Sequence, residues 1–264
     1  MPNEKKTQQC HVGARVWAPL PSRAVIRKAE MTTCLWRYMD LAKFVHLIKT
    51  KTLHFTRIDK FKDRFEGSYP VENLKDWEHG CPDVGDFKYY RKFACVSCWY
   101  ESKHESALMW EIYGKDNQGI VICSTKEKLK DSLDNDELHF KEVKYIDFLR
   151  EKADISIPYE AFLFKRIEFK SEHEFRVALF KVPKSEGFEN GFPRLGSPEK
   201  QEGYPETGVD VPVDTQLLIE KIVLSPYSKR WYRNVIQDIL SHYNLTNLTL
   251  LDSELGVDPI YPKG

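Results

Sequence analysis

Glu172, Glu174 and Arg176 alternate near the end of the run from Phe162 to Phe180, FLFKRIEFKSEHEFRVALF. A period of two places these three and Ala178 on one face of a strand, with His173, Phe175, Val177 and Leu179 on the other. The apolar spacing of Phe162, Leu163, Ile167 and Phe169 predicts a short helix leading into that strand, and it brings Lys165 and Arg166 toward the polar face. Two carboxylates and a guanidinium on a rigid strand are a candidate polar site, in which a fixed carboxylate is a group able to do electrostatic work. The same set also suits two roles without chemistry: a buried ion network and the solvated side of a sheet.

A second charged cluster, Asp63, Arg64 and Glu66, lies in DKFKDRFEGSYP, which Gly67 and Pro70 mark as a loop. Such clusters are mostly solvated, yet loops on a rigid scaffold are also where sites are built. Of the six cysteines, Cys10, Cys34, Cys81, Cys95, Cys98 and Cys123, only Cys95 and Cys98 are spaced as CxxC. They sit in FACVSCW, where an odd separation sends the two thiols to opposite strand faces, and no second ligand pair accompanies them. They read as buried cysteines. His46 and His54 read as ordinary half-buried histidines, and no His, Asp and Glu spacing forms a metal site.

The elements that must position these groups follow from the apolar periods. CLWRYM is a first strand, and Asp40 caps a helix with Leu41, Phe44, Val45 and Ile48 on one side. TLHFT, Thr52 to Thr56, is a second strand; Tyr89 to Tyr100 is a strand apolar on both faces and therefore central. His104 to Tyr113 is a helix with Leu108, Met109, Ile112 and Tyr113 on its buried side, ended by Gly114. GIVIC is a strand, Ser124 and Glu127 form a capping box, and HFKEVKYI is another strand. The connection from Val182 to Pro212 is rich in Pro and Gly and reads as a mobile lid or an insertion. LLIEKIVL is a strand, a helix after Pro226 carries Trp231, Val235, Ile239 and Leu240, and LTLLDSEL supplies a last strand. The expected fold is a single mixed α/β domain over residues 31–264, with a central, partly antiparallel sheet flanked by helices and a mobile arm over residues 1–30.

Forty basic residues balance forty acidic ones, so no global field draws the chain to nucleic acid or to a membrane. The 41% hydrophobic content is enough for a core and excludes a disordered chain. No apolar run approaches the ~20 residues of a membrane span. The sequence MPNEKKTQQC lacks the apolar centre of a signal peptide, so a cytoplasmic location and reduced thiols are expected.

Four stretches read together, CWYESKHESALMWEIYGKDNQGIVI, VKYID, KRIEFKSEHEFR and EKIVLSPYSKRWYRNVI, resemble a bacterial and phage family catalogued as domain of unknown function 2971, over about residues 34–262. The combination of Ser-x-x-Met-Trp-x-x-Tyr-Gly with Gly-Ile and a distant Glu-x-Glu-x-Arg carries the resemblance. The family implies no activity; its distribution suggests a phage-defence or toxin setting.

In layout the chain is also similar to ADP-ribosyltransferases, which carry a basic residue on a first strand, a Ser or Thr on a second and Glu-x-Glu on a later one. Arg37, Ser97 and Glu172-x-Glu174 stand here in that order. The resemblance implies NAD as the cofactor, Glu174 stabilising an oxocarbenium-like transition state, Glu172 orienting the acceptor, and Arg37 holding a ribose or phosphate. Tyr38, Trp110, Tyr113 and Arg176 complete the expected cofactor-binding set. The alternative is a non-catalytic binding module for nucleic acid or protein, with basic and aromatic residues interleaved at KYYRK and SKRWYR. Acidic neighbours of both patches make nucleic acid the less favoured partner.

Overall fold

Strand β1, Cys34–Met39, is followed at once by Asp40, whose carboxylate accepts from the Lys43 amide at 2.8 Å and caps helix α1, Leu41–Thr50. The helix buries Phe44, Leu47 and Ile48, and Lys51 turns the chain in a left-handed conformation (φ 53°) into β2, Thr52–Arg57. The computed structural model describes residues 33–77, 90–155, 158–181, 185–189, 192–195 and 201–259. The arm expected over residues 1–30 lies outside them.

The remaining elements are α2, Val71–Trp77; β3, Ala94–Ser102; α3, Ala107–Tyr113; β4, Ile120–Ser124; and α4, Lys126–Asp131. There follow β5, Leu138–Glu142; β6, Lys144–Ile146; β7, Phe164–Arg166; β8, Glu174–Phe180; β9, Ser185–Glu189; and β10, Phe192–Leu195. The chain closes with β11, Val209–Pro212; α5, Thr215–Leu218; β12, Lys221–Leu224; α6, Arg230–His242; and β13, Thr249–Asp252.

Nine strands form one sheet in the order β11-β2-β3-β1-β4-β12-β13, with β8 on β3 and β5 on β8. Every pairing in it is antiparallel except β12 with β13. Helices α1 and α6 cover one face, where Phe44, Ile236 and Leu240 meet Ile120, Ile122 and Ile222. Met109 and Trp110 of α3 cover the other against Trp36, Tyr38 and Val121. Thr33–Gly264 is thus a single mixed α/β domain with a mostly antiparallel sheet between helices, as the apolar periods predict.

Several elements differ from expectation for identifiable reasons. No α-helix precedes β8: the chain runs through a 3-10 segment, Pro158–Leu163, then β7, then a second, Ile167–Glu172. Pairing of β7 with β6 and burial of Phe162 and Phe164 hold that stretch extended between the turns. Glu172 therefore ends a 3-10 segment and His173 adopts a left-handed conformation (φ 37°), so Glu172 is not on the strand with Glu174. Nor is the face of Glu174 and Arg176 solvated, since both are buried.

Thr125, not Ser124, caps α4, while Ser124 donates its hydroxyl to the Leu218 carbonyl. On α6 Leu240 is buried as expected, but Tyr232 and Ile236 take the places expected of Trp231 and Val235, leaving Trp231 55% exposed. The Tyr232 hydroxyl reaches the Gln118 carbonyl and fixes that rotation. On α3 Met109 is buried as expected, but Leu108, Ile112 and Tyr113 are exposed and Trp110 is buried in their place. Within the Val182 to Pro212 connection, β9 pairs with β10, and β11 pairs with β2 as a sheet edge.

Candidate functional site

Strand β8 fills one edge of β3 from Ala94 to Tyr100. Strands β1 and β2 must therefore share the other edge: β1 pairs with Tyr100, Glu101 and Ser102, and β2 with Cys95 and Val96. At Ser97, Cys98 and Trp99 neither strand is paired, and the sheet splits. Alternation along β1 places Arg37 on the same side as Leu35 and Met39, beside that gap.

The Arg37 guanidinium bridges the split. One terminal nitrogen donates to the Ser97 hydroxyl at 2.5 Å and to the Cys98 carbonyl at 3.1 Å, and the other donates to the His54 carbonyl at 3.0 Å. Ser97 is fully buried and also accepts from the Trp99 indole at 3.2 Å, so it positions Arg37 and does not face the opening. Among the described residues Arg37 has no carboxylate partner. Burial lowers its pKa. Its Nε–H and one terminal hydrogen remain uncommitted to these three acceptors.

On the opposite face Arg176 is fully enclosed. Its Nε donates to Glu174 at 2.5 Å, one terminal nitrogen to the Phe162 carbonyl at 2.6 Å, and the other to Glu66 at 2.9 Å. Lys165 joins the cluster, 3.1 Å from Glu174, 3.2 Å from Glu66 and 2.5 Å from Glu172. Burial alone raises the Glu174 pKa, but the charges of Arg176 and Lys165 outweigh it and bring it down to about 2. Three carboxylates, of Glu66, Glu172 and Glu174, thus meet two cations, of Lys165 and Arg176, and one negative charge is left over. Next to Glu66 in the same loop, Gly67 (φ 70°) packs so closely that a Cβ there would lie 2.6 Å from the Phe162 ring.

A cavity of about 440 Å³ opens where the sheet splits and reaches both faces. Arg37 lines it from the face of Leu35 and Met39, and Tyr38, Tyr113, Glu172 and Glu174 line it from the other. A second cavity of about 740 Å³ shares Phe61, Cys98, Tyr113, Glu172 and Glu174 with the first and extends past Phe169 and Gln118. The fold therefore brings Arg37, Tyr38, Tyr113, Glu172 and Glu174 to one opening. It leaves Ser97 behind Arg37, Arg176 behind Glu174, and Trp110 buried with its indole donating to Glu105 at 2.8 Å.

Two residues of the cavity lining, and a third bonded to both, were not legible as a site. His46 and His54 line the first cavity, and Asp210 on β11 accepts from both, at 3.2 Å and 2.7 Å. The available signal was the alternation of Thr52, His54 and Thr56 on one face of β2, but Asp210 lay inside the stretch read as a connection. Cys98 is half-buried at the junction of the cavities, with its thiol pKa pushed up, chiefly by burial. Among the described residues no group of three or more His, Cys, Asp and Glu is arranged to hold a metal ion, and no helix is long and apolar enough to cross a membrane.

The family model described as "Protein of unknown function (DUF2971)" matches residues 109–177, a segment that contains Tyr113, Glu172, Glu174 and Arg176 but neither Arg37 nor Ser97. No curated protein matches the chain. Among solved structures, the chain is similar to Thermus sp. 2.9 DarT in complex with ADP-ribosylated ssDNA, at 7% identity and a TM-score of 0.39, covering 84% of this chain and 94% of that one. The same protein in complex with NAD+ gives 10% identity, a TM-score of 0.39 and coverage of 84% and 95%. A likeness this loose assigns no residue and no activity.

Proposed function

We propose that this chain is an NAD-using enzyme of the ADP-ribosyltransferase kind, with its reaction centre in the cavity at the sheet split. The observation that carries the proposal is the pairing of charges across that cavity: an arginine without a carboxylate partner on one side and carboxylates with an uncompensated negative charge on the other. A ligand that joins an anionic diphosphate to a cationic ring matches both sides at once, and a cavity of 440 Å³ is within the ~300–1,000 Å³ of small-molecule sites.

The residues fit NAD in this way. The uncommitted Arg37 N–H groups take a ribose or phosphate oxygen, and Tyr113, half-exposed at the wall, offers a ring face to the nicotinamide. NAD supplies a glycosidic bond whose cleavage builds positive charge. Glu174, held ionised, faces that charge, and Glu172, at the junction of the two cavities, orients an acceptor arriving through the second. Release of nicotinamide from NAD tests the proposal: the parent chain releases it, and Glu174→Gln does so about a hundredfold more slowly or worse. Absence of NAD binding and of nicotinamide release in the parent would reject it.

One observation favours the binding-module reading. Tyr227 and Trp231 are 67% and 55% exposed beside the exposed Lys229 and Arg230, a surface suited to stacking and phosphate contact. The other patch does not support it, because Tyr90 of KYYRK is buried. Salt-dependent binding of single-stranded oligonucleotides that Trp231→Ser weakens, in a chain that does not bind NAD, would favour the module.

A further inference from the structure

The carboxylates of the cavity are poorly suited to remove a proton. Glu174 has a pKa of about 2 under the charges of Arg176 and Lys165, which makes it a very weak base, and Glu172 is bonded to the Lys165 ammonium at 2.5 Å. A transferase of the proposed kind still needs a group that takes the acceptor's proton. His54 lines the same cavity, and its Nδ1 lies 2.7 Å from Asp210, with His46 on the second oxygen of that carboxylate at 3.2 Å. Burial raises the Asp210 pKa, but the bonds from His54 and His46 outweigh it and bring it below the ordinary value, so the carboxylate is a steady acceptor. With Nδ1–H donating to Asp210, the lone pair of His54 is on Nε2. Gly208 (φ 87°) passes directly beside that atom, where a Cβ would come within 3.0 Å of Nε2 and 2.2 Å of the Phe55 carbonyl. Any other residue there would crowd the one nitrogen that is free to act.

We infer that His54 is the general base of the reaction, with Asp210 as the residue that positions it; this rests on the proposed NAD chemistry. The C1′–N bond to nicotinamide breaks and its electron pair leaves with neutral nicotinamide. A bond forms between C1′ and an oxygen or nitrogen of the acceptor, or of water, and the proton on that atom passes to His54 Nε2. Asp210 faces the resulting imidazolium and stabilises it. Among the described residues, the other charged or titratable groups near His54 include His46 and Lys43 of α1, which line the same cavity, and Arg37 of β1, which is bonded to the His54 carbonyl and not to its ring.

The test uses the full chain with NAD and water as the acceptor. His54→Ala is expected to lower kcat for nicotinamide release by about a hundredfold or more while the Kd for NAD, measured by calorimetry, stays the same. Because His54 is at the exposed rim, added imidazole should restore a large part of the rate. Asp210→Asn retains the histidine, so it should lower kcat at constant Kd and gain nothing from imidazole. A His54→Ala protein that turns over at the parent rate, or one whose loss is not relieved by imidazole, overturns the assignment and leaves the NAD proposal standing. A parent that neither binds nor cleaves NAD overturns both.

Discussion

Replacing Glu174 with glutamine retains the side-chain volume and removes one of the three carboxylates that face Lys165 and Arg176. Two routes give the expected cost. The pKa of Glu174 moves from an ordinary 4.5 to about 2, and at roughly 1.4 kcal/mol per unit that difference is worth about 3 kcal/mol. Breaking a buried pair costs ~3–5 kcal/mol, and the lower end applies because Arg176 keeps Glu66 at 2.9 Å and Lys165 keeps Glu172 at 2.5 Å. Glutamine also turns an amide N–H toward cations that are donors only. For a domain of this size about 3 kcal/mol corresponds to a Tm roughly 6–12 °C lower.

Urea unfolding of parent and variant at several pH values is the assay. The folded-state pKa is depressed, so the contribution of Glu174 is fully present above 4.5 and fades as the pH falls toward 2. Glutamine does not titrate there, so the stability gap should close over that window. A gap below about 0.5 kcal/mol at pH 7, or one that is unchanged at pH 2.5, would refute the account of Glu174 as a charge pinned by the buried network.

Arg37→Lys should cost about 2–3 kcal/mol in urea unfolding, because one ammonium cannot reach Ser97, Cys98 and His54 together across the split; it should also weaken NAD binding in calorimetry. Gly67→Ala forces a Cβ to 2.6 Å from the Phe162 ring at φ 70°, and about 1–3 kcal/mol should be lost in thermal unfolding. Asp40→Ala removes the cap on α1 and should cost about 1 kcal/mol, with the far-UV spectrum preserved.

The outer architecture was legible because it rests on local signals. The Asp40 cap, the apolar stripe of α1 and the doubly apolar β3 each announce themselves within a few residues, and the sheet follows from their order. Phase and register were less legible. Trp231 and Tyr232 are both large and aromatic, and only the reach of the Tyr232 hydroxyl to Gln118, more than a hundred residues away in the chain, decides which one is buried. The segment before β8 carried a helical apolar spacing, yet pairing with β6 and the pull of buried acids on Lys165 made it extended. Asp210 was beyond reach for the same reason, since nothing near it in sequence indicates that β11 will lie on β2 beside His54.

The two halves of the candidate site are tied to the fold in different ways, and this affects how any loss of activity should be interpreted. Arg37 holds the split by bonding to neutral groups of β2 and β3, so its charge is uncompensated and available to a ligand. Glu174 instead shares its charge with Arg176 and Lys165, and the same cluster includes Glu66 from the loop between β2 and α2. That loop supplies Phe61 to both cavities. Loosening the cluster therefore alters the cavity wall as well as the charge within it. Glu172 is the one carboxylate of the three that separates these effects, because its side chain is 26% exposed and its only ion-pair partner among the described residues is Lys165. Glu172→Gln also leaves Glu66 and Glu174 to balance Lys165 and Arg176. Its stability should thus stay within about 1 kcal/mol of the parent, and a loss of transfer to acceptors at unchanged Tm would place the effect in the chemistry and not in the fold.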